Sequence, residues 1–181
     1  MFTRFKRFLC TPKDYLMIQV LDLSDNLLSG RMPDCWLPWS ELVVLNLENN
    51  DLWGIIPSSL GSLSSLQTLR LRHNSFSGNL PSSLNRSSGL LLLDVGDNNL
   101  NGKIPTWIGE YLTNLIVPCS KSNKFYGRLP SSLCHLGFIQ ILDLSLNYIS
   151  GAIRWCFDNF TIMAHKVDEY YYSTISTLYI S

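Results

Sequence analysis

The chain of 181 residues has few of the features that mark a membrane protein, a secretory leader or a polyanion-binding protein. Its apolar runs are short, and residues 90–93 are typical, whereas a membrane span needs about 18 or more apolar residues. The N-terminus includes Arg4, Lys6 and Arg7 but no uninterrupted apolar core, so we predict no signal peptide. The 14 basic and 14 acidic residues balance, which removes the net charge that would attract nucleic acid or an anionic membrane.

Catalytic and metal-binding signatures are missing from the sequence as well. The five cysteines form no CxxC pair and no Cys/His spacing typical of a metal site. No GxSxG, P-loop or HExxH motif occurs, and His73, His135 and His165 fall at unrelated positions of the pattern described next. We therefore expect neither an enzyme nor a metal site nor a bound cofactor.

What the chain does contain is an internal repeat. Six units, from "IQVLDLSDNLLSGRMP" to "IQILDLSLNYISGAIR", follow the pattern LxxLxLxxNxLxGxIP with spacings of 24, 24, 24, 25 and 24 residues. Chance does not place Asn and Gly at fixed offsets six times, and a period of this length is typical of solenoids. The units begin at Ile18, Leu42, Leu66, Leu90, Leu115 and Ile139.

Each column of the repeat has a physical interpretation. The LxL alternation predicts one parallel strand per unit, with leucines pointing into the core. The Asn column lies where the chain leaves the strand, and a buried amide there can satisfy backbone groups. The Gly column permits the turn geometry, and Ser or Thr after the Pro can cap a short helical turn on the outer face. The predicted fold is an α/β solenoid of about six repeats with one parallel strand each on the concave face.

The repeat resembles the leucine-rich repeat, and LxGxIP resembles its plant type. Longer stretches, "LSGRMPDCW", "LVVLNLENNDLWG" and "SSLCHLGFIQILDLSLNYISG", closely resemble ectodomains of plant receptor-like proteins of the ethylene-inducing-xylanase-receptor kind. The resemblance implies a non-catalytic module that binds a peptide or protein ligand in defence or developmental signalling. It also implies a co-receptor kinase as partner and a location on the extracellular side of the plasma membrane.

Domain boundaries follow from where the repeat holds. We expect a non-repeat leader over residues 1–15, a solenoid over 16–160, and a poorly ordered non-repeat tail over 161–181. The signal peptide, the cysteine-bearing caps and the membrane span of the resembling receptors are not recognisable. We therefore expect an interior block of a longer receptor, attached to the membrane only through a span that this chain lacks.

The candidate binding residues are the outward-facing residues of the predicted strands. Neighbouring parallel strands lie about 4.8 Å apart, so Arg70 should lie between Asn46 and Asp94, with Glu48 beside Arg72. The candidate ligand-binding residues on this face are Glu48, Arg70, Arg72, His73, Asp94, Asp97 and Lys121.

The two arginines allow two interpretations. In one, they neutralise the acidic residues of adjacent strands, a kind of exposed pair that contributes about 0–1 kcal/mol. In the other, Arg70 and Arg72 form a fork for a ligand carboxylate, which resembles how some plant repeat receptors hold the C-terminus of a peptide hormone.

Other residues carry narrower expectations. The sequons at Asn85 and Asn159 are candidate glycosylation sites. Cys35, Cys134 and Cys156 are expected to pack as buried thiols rather than to form bridges. Pro118 replaces a strand leucine and should disrupt the sheet locally.

Two competing functions remain open. Secreted inhibitors of fungal polygalacturonases share the LxGxIP repeat, but they carry cysteine caps that are not recognised in this chain. Alternatively, the chain is a non-functional truncated receptor fragment, which the strand proline and the missing leader would both suit.

Overall fold

The computed structural model describes residue 10 and residues 17–153. Each of the first five repeats contributes a first strand to one sheet, and all six repeats contribute a second strand to another. The first strands are β1 (Val20–Asp22), β3 (Val44–Asn46), β5 (Thr68–Arg70), β7 (Leu92–Asp94) and β9 (Val117–Cys119). The second strands are β2 (Ser29–Arg31), β4 (Asp51–Gly54), β6 (Ser75–Gly78), β8 (Asn99–Gly102), β10 (Lys124–Gly127) and β11 (Tyr148–Ile149).

Both sheets are parallel and follow the order of the repeats. The concave sheet runs β1-β3-β5-β7-β9, and the second sheet runs β2-β4-β6-β8-β10-β11. The solenoid fold is therefore confirmed, with one parallel strand per repeat on the concave face in the first five repeats, and the second strand of each repeat is an addition that the sequence did not predict. In β4 the residues alternate exposed, buried, exposed, with Leu52 buried between Asp51 and Trp53. The Asp and Gly at the two ends of β4 are uncommon in strands and typical of turns, which gives a weak strand signal in the sequence.

The convex side consists of short helical turns. They are the 3₁₀ helices Leu37–Trp39, Ser58–Ser62, Ser82–Arg86 and Ser131–His135, and the α-helix α1 (Trp107–Tyr111). The turns appear where the sequence predicts them, but no side chain within a repeat caps them. At Ser58–Ser62 the N-cap is Pro57, and the Ser59 N–H instead donates to Asp34 Oδ1 of the preceding repeat, at 3.0 Å.

A ladder of asparagines satisfies backbone groups where the chain leaves each strand, as the sequence predicts, and it also holds consecutive repeats together. The Asn74 side-chain amide donates to the carbonyl oxygens of Leu47 (2.9 Å), Leu71 (3.2 Å) and Arg72 (3.1 Å). Its Oδ1 accepts the Leu52 N–H at 3.0 Å. One side chain thus satisfies backbone groups of two repeats. The same four-bond arrangement recurs at Asn50, Asn98, Asn123 and Asn147.

Pro118 does not prevent the fifth strand from forming. β9 pairs with β7 over three residues, with Leu93 opposite Pro118. The loss falls on the other side, where the concave sheet is reduced to a single bridge between Cys119 and Asp143, although backbone hydrogen bonds such as that from the Ser120 N–H to the Asp143 carbonyl oxygen still join the sixth repeat. In this ladder core-facing residues donate toward the following repeat, as Leu71 does to Asp94. Proline has no N–H to donate there, which explains why the disruption is one-sided.

The cysteine prediction was wrong for two of its residues. Cys35 forms a disulfide with Cys10, with a Cα–Cα distance of 5.3 Å, and Cys134 is also disulfide-bonded. Among the described residues, Cys119 is a free, buried cysteine. The prediction for Cys156, like those for the tail over 161–181 and for Asn159, falls outside the described residues.

Candidate ligand-binding face

The concave sheet places the outward residues in columns that cross the repeats. One column reads Asp22, Asn46, Arg70, Asp94 and Cys119, each opposite the next in strand register. The position predicted for Arg70, between Asn46 and Asp94, is therefore confirmed. The register is fixed because the leucines of each strand must all face the core.

Arg72 lies one step further along the same strand path and is paired with an acid of the next repeat. Its Nη2 lies 2.9 Å from Asp97 Oδ2, and His73 Nε2 lies 3.5 Å from the same oxygen. The Arg72 side chain is 33% exposed. Partial burial disfavours its charged form, but the carboxylates of Asp94 and Asp97 outweigh this effect and raise the pKa of Arg72.

The pKa values of the acidic residues on this face depend on the same neighbours. Burial, with repulsion from Asp94, raises the pKa of Glu48, and burial raises the pKa of Asp94 despite a hydrogen bond from the Gly96 N–H. Arg70, 8% exposed, exerts an electrostatic attraction on both carboxyl groups. Each arginine therefore already faces acids of this chain, which favours the hypothesis of mutual neutralisation over that of an anion fork.

Four of the predicted residues meet at a cavity of ≈ 280 Å³. Its lining combines charges with two aliphatic side chains, and the full set is Glu48, Arg70, Arg72, Leu92, Asp94, Cys119, Ile141 and Asp143. Lys121, His73 and Asp97 do not line it. The other four lining residues were not predicted, because three of them carry no charge that would mark a site in the sequence and Asp143 lies in the sixth repeat, beyond the last predicted charge at Lys121.

The cavity has no group suited to covalent chemistry. Burial, aided by the nearby Asp94 carboxylate, raises the pKa of the Cys119 thiol to about 11, so it stays protonated at neutral pH. Within residues 17–153 no cluster of His, Cys, Asp and Glu is arranged to hold a metal ion. Nor does any helix in the described part of the chain have the length and apolarity to cross a membrane. The face can offer charged, polar and aliphatic contacts to a ligand.

The candidate glycosylation site Asn85 lies away from this face. It is in the 3₁₀ helix Ser82–Arg86 on the convex side and is partly exposed. Ser87, the third residue of its sequon, is buried, and its hydroxyl donates to the Leu63 carbonyl oxygen at 3.1 Å.

Comparison with known families identifies the repeat. The family model described as Leucine Rich Repeat matches residues 17–38, 41–63, 65–87 and 89–111, about half of the chain. A comparison with curated protein sequences finds no match.

Solved structures of plant receptor ectodomains are similar. The ectodomain of the Arabidopsis thaliana membrane receptor kinase GASSHO1/SCHENGEN3, in complex with CASPARIAN STRIP INTEGRITY FACTOR 2, is 32% identical over 77% of this chain and 17% of that chain, with a TM-score of 0.74. The Arabidopsis receptor kinase HAESA, in complex with the peptide hormone IDA and the co-receptor SERK1, is 32% identical over 78% of this chain and 24% of that one, with a TM-score of 0.75. The chain thus spans less than a quarter of the length of either ectodomain.

A smaller structure is matched over most of its length. A chain of the BIR3–SERK2 complex from Arabidopsis thaliana is 32% identical over 78% of this chain and 74% of that chain, with a TM-score of 0.68. The asparagine ladder, the parallel sheets and these matches agree, and the chain belongs to the leucine-rich repeat family.

Proposed function

We propose that this chain is a non-catalytic recognition module of a plant receptor-like protein, and that its concave face binds a peptide or protein ligand. The observation that carries the proposal is the cavity where Glu48, Arg70, Arg72 and Asp94 meet beside aliphatic side chains. The similarity to ectodomains solved with a peptide hormone and a co-receptor supports this role. The rigid strands hold these side chains in fixed positions, so little conformational entropy is lost on binding.

We further propose that the module acts on the extracellular side of the plasma membrane, in defence or developmental signalling with a co-receptor kinase. The Cys10–Cys35 disulfide supports an oxidising compartment, since such bonds persist outside the cytosol. Asn85, partly exposed on the convex side, would carry a glycan without covering the concave face.

Selection from a random peptide library, followed by calorimetry on the full chain, tests the proposal. We expect selected peptides to lose about tenfold or more in affinity with Arg72→Gln or Asp94→Asn, since each change removes a charged contact at the centre of the face. Arg86→Gln makes the same charge change on an exposed convex residue and should leave affinity unchanged.

The comparison of Arg72→Gln with Arg86→Gln makes the test decisive, because the two variants lose the same charge on opposite sides of the solenoid. Melting curves of each variant establish that it is folded before its affinity is compared. Peptides whose binding is indifferent to Arg72→Gln and Asp94→Asn, or is weakened equally by Arg86→Gln, would show that the concave face is not the binding surface.

A further inference from the structure

The outer face of the second sheet carries a basic–aromatic patch. It consists of Lys103, Lys124, Tyr126, Arg128 and Tyr148, on or directly after β8, β10 and β11. All five residues are exposed, Tyr126 by 52% and Tyr148 by 69%. The two tyrosines lie opposite each other in register on neighbouring strands, so their rings share one side of the sheet. The patch lies on the second sheet and the concave columns lie on the first, so it needs its own explanation.

The glycine column fixes the positions of two of the cations. A Cβ at Gly127 would lie 3.5 Å from Lys103 Cγ, and one at Gly151 would lie 2.8 Å from Arg128 Cγ. The aliphatic stems therefore lie along the bare backbone of the following repeat. Both glycines also have positive φ, 84° and 94°. A cation whose stem already rests on a rigid sheet loses less rotamer freedom when it binds an anion.

The patch is a local positive field on a chain whose charges balance. Within residues 17–153 the ion pairs lie on the concave face, at Arg72–Asp97 and His73–Asp97. None of the three patch cations has a carboxylate partner in this described part. An anionic partner could therefore approach Lys103, Lys124 and Arg128 without first breaking an internal pair.

The surroundings of the patch favour a sugar polymer as that partner. Asn99 and Asn101 on β8, and Ser150 directly after β11, are exposed and offer amide and hydroxyl groups. Exposed tyrosine rings can stack on the C–H faces of sugars, and the amides can bond to sugar hydroxyls. Successive strands are about 4.8 Å apart, close to the length of one sugar unit, so consecutive units can meet consecutive strands.

We propose that the basic–aromatic patch binds a linear polyuronate, an acidic polysaccharide whose carboxylates pair with Lys103, Lys124 and Arg128 while its rings stack on Tyr126 and Tyr148. An acidic peptide is less well matched, because it would pair with the cations but would lack the sugar C–H faces and the regular hydroxyls that the exposed rings and amides of this sheet face can contact. The binding is independent of the ligand proposed for the concave face.

Titration calorimetry on the full chain tests this proposal with short galacturonate oligosaccharides at two salt concentrations. We expect binding that weakens with salt, and no binding of the fully methyl-esterified oligosaccharide. Arg128→Gln and Lys103→Gln should each reduce affinity about fivefold, the loss typical of one cation near an anionic surface. Tyr126→Ala should reduce it several-fold, whereas Tyr126→Phe, which keeps the ring, should not.

The controls separate sugar recognition from general charge attraction. Arg86→Gln removes one positive charge from the convex side and should leave galacturonate affinity unchanged. No binding, equal binding of the methyl ester, or equal loss in Arg86→Gln would overturn the proposal. Binding of poly-glutamate as tightly as galacturonate would overturn it too, since the patch would then recognise charge without recognising the sugar.

Discussion

The inward columns of this solenoid are constant, whereas its outward columns change from one repeat to the next. The inward asparagine makes the same four bonds at Asn50 as at Asn74, one repeat later. The outward column instead reads Asn46, Arg70 and Asp94 on adjacent strands. Stability and recognition are thus carried by separate positions of one repeat. Inward changes should cost the fold much more than outward ones.

The largest effect is expected at the asparagine ladder. Asn74→Ala removes four hydrogen bonds and leaves the Leu52 N–H without its acceptor, which should lower the free energy of unfolding by about 3–4 kcal/mol. Asn26 is the matched control, because it is exposed and bonds only to the carbonyls of Leu23 and Ser24. Asn26→Ala should cost about 1 kcal/mol or less. Urea denaturation measures both, and equal losses would contradict the ladder's role.

Contacts between helical turns extend the comparison to the convex side. A Cβ at Gly61 would overlap the carbonyl oxygen of Ser83 in the following repeat. Gly61→Ala should therefore separate two turns and cost about 2–3 kcal/mol. A Cβ at Gly137 meets nothing within 4 Å, so Gly137→Ala should change stability by less than about 0.5 kcal/mol. Thermal unfolding of the two variants measures the difference, and similar melting temperatures would refute it.

The outward carboxyl groups should give a smaller effect that depends on pH. Burial raises the pKa of Glu48 and of Asp94, so the folded state binds these protons more tightly than the unfolded chain. Their contribution to stability should therefore increase as the pH falls from 7 toward their ordinary values of 4.5 and 3.8. Hydrogen bonds from Ser145 lower the pKa of Asp143, whose contribution is present above pH 3.8 and lost below it.

Two amide variants separate these opposite slopes. Asp94→Asn keeps an acceptor for the Gly96 N–H, 2.9 Å away, and should flatten the rise in stability between pH 7 and pH 4.5. Asp143→Asn should leave that rise unchanged and reduce the fall below pH 3.8. Urea denaturation across this range is the measurement. A rise that survives Asp94→Asn in full would show that this carboxyl group does not contribute to it.

How much could be predicted from the sequence depends on whether a feature follows the period. The ladder at Asn74 and the place of Arg70 were predictable, because a constant 24-residue spacing puts equivalent residues side by side. The second sheet was not, because its strands, such as β2 (SGR) and β8 (NLNG), consist largely of residues that are uncommon in strands and typical of turns. The Cys10–Cys35 pair was missed because Cys10 lies outside the repeat, where no period gives its neighbours. Ile141, an aliphatic residue of the cavity, was missed because the period shows which residues lie side by side but does not show which of them are exposed.

One outward position still obeys a backbone constraint, and it offers the smallest and most specific prediction. The residue before each ladder asparagine has positive φ, and in the sixth repeat this residue is Leu146, with φ 55° and 70% exposure. Asparagine tolerates this conformation better than leucine, so Leu146→Asn should raise the free energy of unfolding by about 0.5–1 kcal/mol. Leu146→Ala removes the exposed side chain without relieving the backbone and should give little gain. Urea denaturation of both variants separates the two causes, because equal gains would trace the effect to the exposed apolar surface and not to φ.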